Sequence, residues 1–523
     1  MQTRIDAVLN WSAWAGDAIR ALNGWRRFGA AVLAGAVSAL GFAPFSLWPL
    51  LLLGFAAFVL LLDASQRDVR SIRSAAVIGF AFGFGQFLVG LHWIGYAFLV
   101  DADAHAWQIP FVAVLFPGGL ALFIAAAAAA AAPFWKPGIG RIFVITATYS
   151  LTEWLRGHVL TGFPWNLPAY GWGAVPAILQ SAMVFGAYGL TLVTALAGFG
   201  LAELFSHRRN WKFLAAIAAS FALIFLFGTV RLISTPENSV SNVKVRLVQP
   251  NIPQTEKYQR KYILRNWQRL ISLSKMPGNP SIIVWPEAAP PFLLAEQPLA
   301  MEEITRLLGE HSSLMTGGIR REYVSEEHIR YANSFFLIRK TETSLGIYDK
   351  SHLVPFGEYL PFEKTLTALG LSKLTGIDGS FAPGNGPITL DVFGAGKVTP
   401  LICYEILFPG EVEASKRPDW FVNITDDSWF GPWAGPKQHL LVARVRAIEE
   451  GVPVVRDANT GISAIIDPLG RVTHSLELGK TGIVDGTLPA PLPQTPYSRF
   501  RDLFFWLLLC ANIIAARFFL ERK

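Results

Sequence analysis

The stretch Val398-Thr399-Pro400-Leu401-Ile402-Cys403-Tyr404-Glu405-Ile406-Leu407-Phe408-Pro409-Gly410 carries a lone cysteine to the end of an apolar run, then breaks the chain with a Pro-Gly pair. A strand that aims a side chain, followed by a turn that leaves it accessible, is how an α/β fold presents a nucleophile. The logic is that of the nucleophile elbow, although no G-x-S-x-G signature is present. A free cysteine on an apolar strand is by default a core residue. Taken alone, the stretch reads as core.

The surroundings are α/β. Composition shifts after the polar linker Ser234-Thr-Pro-Glu-Asn-Ser-Val-Ser241. Beyond it, strand-like runs are expected at Lys244–Gln249, Ser281–Trp285, Leu314–Gly318, Ala332–Arg339, Thr343–Tyr348, Leu401–Cys403, Trp420–Thr425, Val452–Asp457, Ser463–Asp467 and Thr481–Asp485. Helical patterns at Lys257–Met276, Pro298–His311 and Leu440–Glu450 interrupt them. Residues 240–490 therefore read as one α/β domain, long enough for its own core.

Two further strand ends carry reactive groups. Ile282-Ile-Val-Trp-Pro-Glu287 places a carboxylate just past a strand and a proline, and Tyr348-Asp-Lys350 places an ammonium at another strand end. Each alone has a bland reading, a turn acid or a surface lysine. Together with Cys403 they supply a base, a positive charge and a thiol, which is the equipment of acyl transfer. A thiol is poorly ionised at neutral pH and needs a base to attack a carbonyl. Glu287 can take that proton, and Lys350 with a backbone N–H near Cys403 can stabilise the tetrahedral oxyanion.

The rest of the chain reads as membrane. Of 523 residues, 16% are charged and 52% apolar, and the mean hydropathy is +0.38. These values exclude a wholly soluble protein. Spans are expected at roughly 27–44, 46–63, 74–98, 108–134, 141–157, 174–205 and 213–233, with an eighth at 501–518. Short loops on one side carry Arg26, Arg27, Arg67, Arg70, Arg73, Lys136, Arg141, Arg208, Arg209, Lys212, Arg517, Arg522 and Lys523; those on the other carry only Arg156. The positive-inside rule then puts both termini, including a 519–523 tail, in the cytoplasm and residues 240–490 outside it.

Residues 1–26 read as an amphipathic cytoplasmic lead-in, with Ile5, Val8, Leu9, Trp11 and Trp14 at helical spacing. The net charge of +7 is spread over loops rather than gathered on a soluble surface, so no nucleic-acid partner is expected. Cys510 lies in an apolar run, which leaves Cys403 without a disulfide partner, and no metal-ligand spacing or cofactor motif is present. Glu153 and Arg156, three apart on a span, can pair. The segment Gly162-Phe-Pro-Trp165-Asn166-Leu-Pro168 is expected to lie at the outer headgroup level against lipid.

The motifs W-P-E, Y-x-K-x-H-L-V-P-F-G-E and C-Y-E, in that order, resemble the nitrilase superfamily with its Glu-Lys-Cys set. The wording H-L-V-P-F-G-E-Y-L-P, the eight spans, N-I-T-D-D-S-W-F-G at 423–431 and the Gln438-His439 pair are similar to the apolipoprotein N-acyltransferase family. That resemblance implies an αββα sandwich outside the cytoplasm on a seven-span domain (27–235) and a final helix (501–518). It implies Glu287, Lys350 and Cys403 as the catalytic set, with Glu358, Tyr404 and Glu405 in support. It also implies a mobile arm at Trp267 and substrate contacts at Trp165 and Asn166. The implied reaction is ping-pong. A membrane phospholipid acylates Cys403, and the α-amine of a diacylglyceryl-cysteine apolipoprotein takes the chain, in the bacterial inner membrane, on the periplasmic side, in a monomer without cofactors. The rival readings are a membrane-tethered amidase acting on a small amide and a transporter with a receptor domain.

Overall fold

The structure is a computed structural model that describes residues 2–207, 209–325, 328–340, 345–368, 381–414 and 416–521. Arg208, Arg522 and Lys523 of the topology argument, and the start of the strand expected at Thr343, lie outside these residues. The chain divides into two units: Trp93–Gln108 with Pro236–Gln494, and Met1–His92, Ile109–Thr235 and Thr495–Lys523.

Period-two alternation builds the first of these. Ile282 and Val284 face one apolar cluster while Ile283 faces another, and Phe335 and Leu337 alternate in the same way with Phe336 and Ile338. The shared cluster also takes Val398, Ile402, Val422, Ile424, Val455 and Ile465, so it lies between two sheets. Each sheet has six strands. The first runs Gly482–Pro489, Ser239–Gln249, Ile282–Val284, Ser313–Ser325, His328–Arg339, Gly346–Asp349. The second runs Val472–Leu476, Ser463–Ile466, Val454–Ala458, Trp420–Thr425, Gly396–Ile402, Leu390–Val392. The outer cluster of the first sheet is closed by helices Ile263–Ser274 and Pro298–Leu307, and that of the second by Ala434–Glu450. The four layers are the αββα sandwich.

Three neighbouring strands in the centre of each sheet are parallel. Their carboxyl ends are the places where an open parallel sheet leaves room for ligands. Val284 precedes Glu287, Ile402 precedes Cys403, and Thr425 precedes Asp426 and Asp427.

Among the described residues six helices are long and apolar enough to cross a membrane: Trp48–Ser65, Ser71–Gly90, Ala102–Phe134, Ala182–Phe205, Trp211–Ser234 and Leu503–Glu521. Helices also stand where the first and fifth spans are expected. Gly24–Ala39 has 16 residues, short of the ~20 a span needs, and Gly140–His158 carries Arg141, Glu153 and Arg156. The span expected over 74–98 is α-helical only to Gly90, and Trp93–Gln108 joins the sandwich unit. The long run 174–205 is broken, with Gly186 at φ 66° inside Ala182–Gly200.

Glu153 and Arg156 do pair, at 2.6 Å and fully buried, and Arg156 Nη1 also donates to the Trp165 carbonyl at 3.0 Å. That requires a correction. Trp165 and Asn166 are buried, not laid against lipid, because the Arg156 guanidinium draws the loop inward and Asn166 Nδ2 donates to the Gly90 carbonyl at 3.1 Å. The lead-in is a helix, Gln2–Arg20, held by Arg20 on Asp63 (3.2 Å) and by Ser12 on the Leu204 carbonyl (3.0 Å).

Candidate active site

Cys403 begins a short 3-10 turn at the end of Gly396–Ile402, one residue earlier than a strand through Cys403 would have it. Its φ is +51°, a left-handed conformation costly for a residue with a Cβ. Ala288, next to Glu287, is likewise at +47°. Gly317 explains how the neighbouring strand passes this point: a Cβ there would sit 2.7 Å from Glu287 Cα. Strain of this kind persists only where surrounding contacts enforce it, and two of the chain's positive-φ non-glycine residues fall on the turns that carry Glu287 and Cys403.

Both oxygens of Glu287 are occupied. Oε1 accepts from Asn333 Nδ2 at 2.7 Å, and Oε2 accepts from the Asp426 backbone N–H at 3.0 Å. Lys350 Nζ lies 3.5 Å from Glu287 Oε1 and 3.0 Å from Glu358. Asn333 Nδ2 also donates to Glu358 Oε1 at 2.8 Å, so one amide and one ammonium bridge two buried carboxylates. Glu358 Oε2 accepts from the Val354 N–H at 2.8 Å. Lys257, also buried, donates to the Glu287 carbonyl (3.1 Å) and pairs with Asp426 (2.6 Å).

Burial pushes the Glu287 carboxyl up; Lys350 opposes the rise and Glu358 adds to it. Burial would lower the Lys350 ammonium, but Glu358 and Glu287 outweigh it and keep the amine charged. Burial and then Glu287 raise the Cys403 thiol well above its ordinary value, against the pull of Lys350 and of a hydrogen bond with Thr425. The resting sulfur is therefore a thiol, not a stored thiolate. A carboxyl of raised basicity, whose charge acts on that thiol, is chemically able to take such a proton. Such a site can acylate and deacylate a cysteine.

Residues 34–200 match the family described as apolipoprotein N-acyltransferase N-terminal domain, and residues 244–495 match carbon-nitrogen hydrolase. The chain is similar to the apolipoprotein N-acyltransferase of Rhodopseudomonas palustris, 41% identical over 92% of each chain. It is also similar to that of Bradyrhizobium diazoefficiens, 41% identical over 94% of this chain and 95% of that one. The chain belongs to the apolipoprotein N-acyltransferase family.

Of the other residues singled out within the family pattern, Glu405 is at the centre of a network. Its Oε1 accepts from Tyr348 Oη (2.5 Å), Ser351 N (2.8 Å), Ser351 Oγ (2.9 Å) and His352 N (3.2 Å), while Oε2 accepts from Ile402 N (2.8 Å). It thus ties the Lys350 segment to the Cys403 turn. Replacing Glu405 with alanine leaves these buried and half-buried donors without their acceptor. It is expected to lower the unfolding free energy by about 3 kcal/mol, read as an earlier thermal transition, since a hydrogen bond to a charged group contributes ~1.5–3 kcal/mol. An unchanged transition would remove this role. Tyr404 packs edge-on against Phe408, with ring centroids 5.0 Å apart, and lies beside His352.

Trp267 is a core residue. It is buried on Ile263–Ser274, packs on Trp285 and Phe292, and donates from Nε1 to Glu303 at 2.7 Å. The helix expected over 257–276 starts at Ile263, so its amphipathic face points Trp267 inward and Lys257 falls on the loop before it. Trp165 and Asn166 belong to the helical unit. Asn333 and Lys257 escaped the sequence reading. Asn333 left a trace, because it shares a strand face with Phe335 and Leu337, where an amide stands out among apolar side chains. Lys257 left none.

Proposed function

We propose that this chain transfers a fatty acyl group from a membrane phospholipid to the α-amine of the N-terminal diacylglyceryl-cysteine of an apolipoprotein, by way of a thioester on Cys403. The observation that carries the mechanism is the meeting of Glu287 and Lys350, 3.5 Å apart, beside a thiol held protonated. In the first half-reaction Glu287 takes the Sγ proton as sulfur attacks the ester carbonyl. Lys350 and a backbone N–H of the Cys403 turn balance the charge on the tetrahedral oxygen. Collapse expels the lysophospholipid alkoxide, which recovers the proton from Glu287. In the second half-reaction the amine attacks the thioester, Glu287 removes the amine proton, and the proton returns to the departing sulfur. The amide and the free thiol result.

The domain plan belongs to the same reading: a lead-in (1–26), seven spans (27–235), a catalytic domain (240–490), an eighth span (501–518) and a cytoplasmic tail (519–523), all in one monomer. The loop charges support a bacterial inner-membrane protein with the catalytic domain in the periplasm. Apolar helices Trp211–Ser234 and Leu503–Glu521 flank the catalytic domain in sequence, which suits substrates that never leave the bilayer.

The test supplies a phospholipid with an isotopically labelled acyl chain together with a diacylglyceryl-cysteine peptide. The label is expected in an amide at the peptide α-amine. Release of the label as free fatty acid, with small amides hydrolysed as well, would make the protein an amidase instead. A pH profile adds a second check. Glu287 works only unprotonated and burial raises its pKa, so kcat/KM should fall on the acid side at a pH above the ordinary glutamate value of about 4.3. An acid limb at or below pH 4 would contradict the assignment.

A further inference from the structure

We infer that His439 is a positioning residue for the nucleophile: its imidazole holds the Cys403 carbonyl and so fixes the left-handed turn from which the sulfur points. The inference rests on the acyl-transfer reading and deepens it.

His439 comes from helix Ala434–Glu450, an element separate from the strand that ends at Cys403, and it is completely buried. Its Nε2 lies 3.2 Å from the Cys403 carbonyl oxygen. A carbonyl only accepts, so Nε2 carries the hydrogen. On the other side, Nδ1 is 2.9 Å from Asp427 Oδ1 and 3.0 Å from Arg456 Nη2. Asp427 is fixed in turn: Arg456 Nη2 donates to its Oδ2 at 2.7 Å and Thr425 Oγ1 to its Oδ1 at 2.9 Å. Arg456 also reaches the Asn423 side chain, whose Nδ2 donates to the Leu401 carbonyl at 3.0 Å. The cluster therefore joins the ends of three parallel strands and closes on the strand that delivers Cys403.

The ring is enclosed on its face as well. Phe430 stands edge-on at 5.5 Å, Trp93 lies edge-on to Phe430 at 4.8 Å, and Trp93 Nε1 donates to Gln438 Oε1 at 3.0 Å. His439 thus has no freedom to turn toward a substrate.

A histidine beside a cysteine invites the reading of a Cys-His pair. The geometry opposes it, because Nε2 addresses the backbone oxygen of Cys403. The electrostatics agree. Burial, followed by Arg456, lowers the His439 pKa. Burial would raise Asp427, but Arg456 and His439 outweigh it and hold that carboxyl at about 2. With Nε2–H committed to the Cys403 carbonyl and Nδ1 held between Asp427 and Arg456, the ring is a fixed donor, not a proton carrier. What it supplies is a constraint: Cys403 sits at φ +51°, which the chain would otherwise relax.

Two substitutions of similar polarity separate this role from mere filling. In His439→Gln the amide nitrogen takes the place of Nε2 and reaches the Cys403 carbonyl; in His439→Asn it takes the place of Nδ1 and does not. Thioester formation on Cys403 is followed in single turnovers with a phospholipid and, separately, with p-nitrophenyl acetate. The glutamine protein is expected within about threefold of wild type. The asparagine protein should lose about 100-fold in kcat with KM within about twofold, as for an ångström-scale misplacement of a reacting atom. His439→Met, as long as glutamine but without a donor, is the second variant and should fall with asparagine. Asparagine or methionine proteins as fast as glutamine would overturn the inference, as would a loss confined to KM. If wild type acylates Cys403 from the p-nitrophenyl ester but not from phospholipid, the proposed function fails while the comparison of variants still decides the role of His439. If neither donor acylates Cys403, both fall.

Discussion

Replacing Glu287 with glutamine is expected to lower kcat for acyl transfer by about 10⁴-fold, the upper end of what a positioned base contributes. The thiol explains the size of the effect. Burial, the largest cause of the raised Cys403 thiol, is unchanged in the variant, so the reaction still needs a base to take the proton. The new amide cannot settle quietly either. Oε1 of Glu287 faces the Asn333 amide and Oε2 faces the Asp426 N–H. An NH₂ on either side meets a donor, and turning Asn333 to compensate would present its oxygen to Glu358 Oε1. The KM for phospholipid should change little, because the proposed mechanism has Glu287 act on the sulfur rather than on the lipid. Single-turnover acylation measures this directly, and a loss below tenfold would transfer the base role elsewhere.

The second large effect is that of Lys350→Met. Lys350 is buried and stands 3.5 Å from Glu287 and 3.0 Å from Glu358. On the proposed mechanism its loss removes the charge that balances the oxyanion, which should cost about 10³-fold in kcat. It also leaves two buried carboxylates facing each other through Asn333. Removing one partner of a buried pair costs about 3–5 kcal/mol. The sign of the pH dependence follows. Without the ammonium, burial and mutual repulsion raise the folded-state pKa of Glu287 above its unfolded value. The folded state of the variant then binds protons more tightly than the unfolded chain, so its stability deficit is small at acidic pH and grows as pH rises through that pKa. Thermal unfolding of wild type and variant at pH 5 and pH 8 tests this. A gap independent of pH would mean that Lys350 does not neutralise these carboxylates.

Much of the site was legible because its residues sit at strand ends, and strand ends are visible in a sequence. Trp-Pro-Glu287 and the Cys403-Tyr-Glu405 break both follow apolar runs that the structure folds as parallel strands. Lys350 follows Gly346–Asp349, an antiparallel edge strand. What escaped is the set of groups brought in from the sides of elements. Asn333 lies within a long antiparallel strand, and Lys257 in a loop that resembles a helix start. Asp427 and His439 belong to motifs visible in the sequence. Their joint action on the Cys403 carbonyl depends on a helix crossing that no local pattern encodes.

The membrane half shows the converse. Hydropathy located the helices, but their ends and breaks follow from contacts. Arg156 buries the Trp165 loop, a glycine interrupts the run at 186, and the segment after His92 leaves the bundle for the sandwich unit.

The central claim is a covalent acyl group on Cys403 drawn from a phospholipid. Wild-type protein incubated with a phospholipid of one defined acyl chain, without acceptor, is digested at mildly acidic pH, and the Cys403 peptide is weighed. The account predicts a mass increase equal to that acyl chain, removed by hydroxylamine, absent in Cys403→Ala and discharged by a diacylglyceryl-cysteine peptide. An unmodified Cys403 in protein that still forms the amide once the peptide is added, or the acyl group on another side chain, would contradict it.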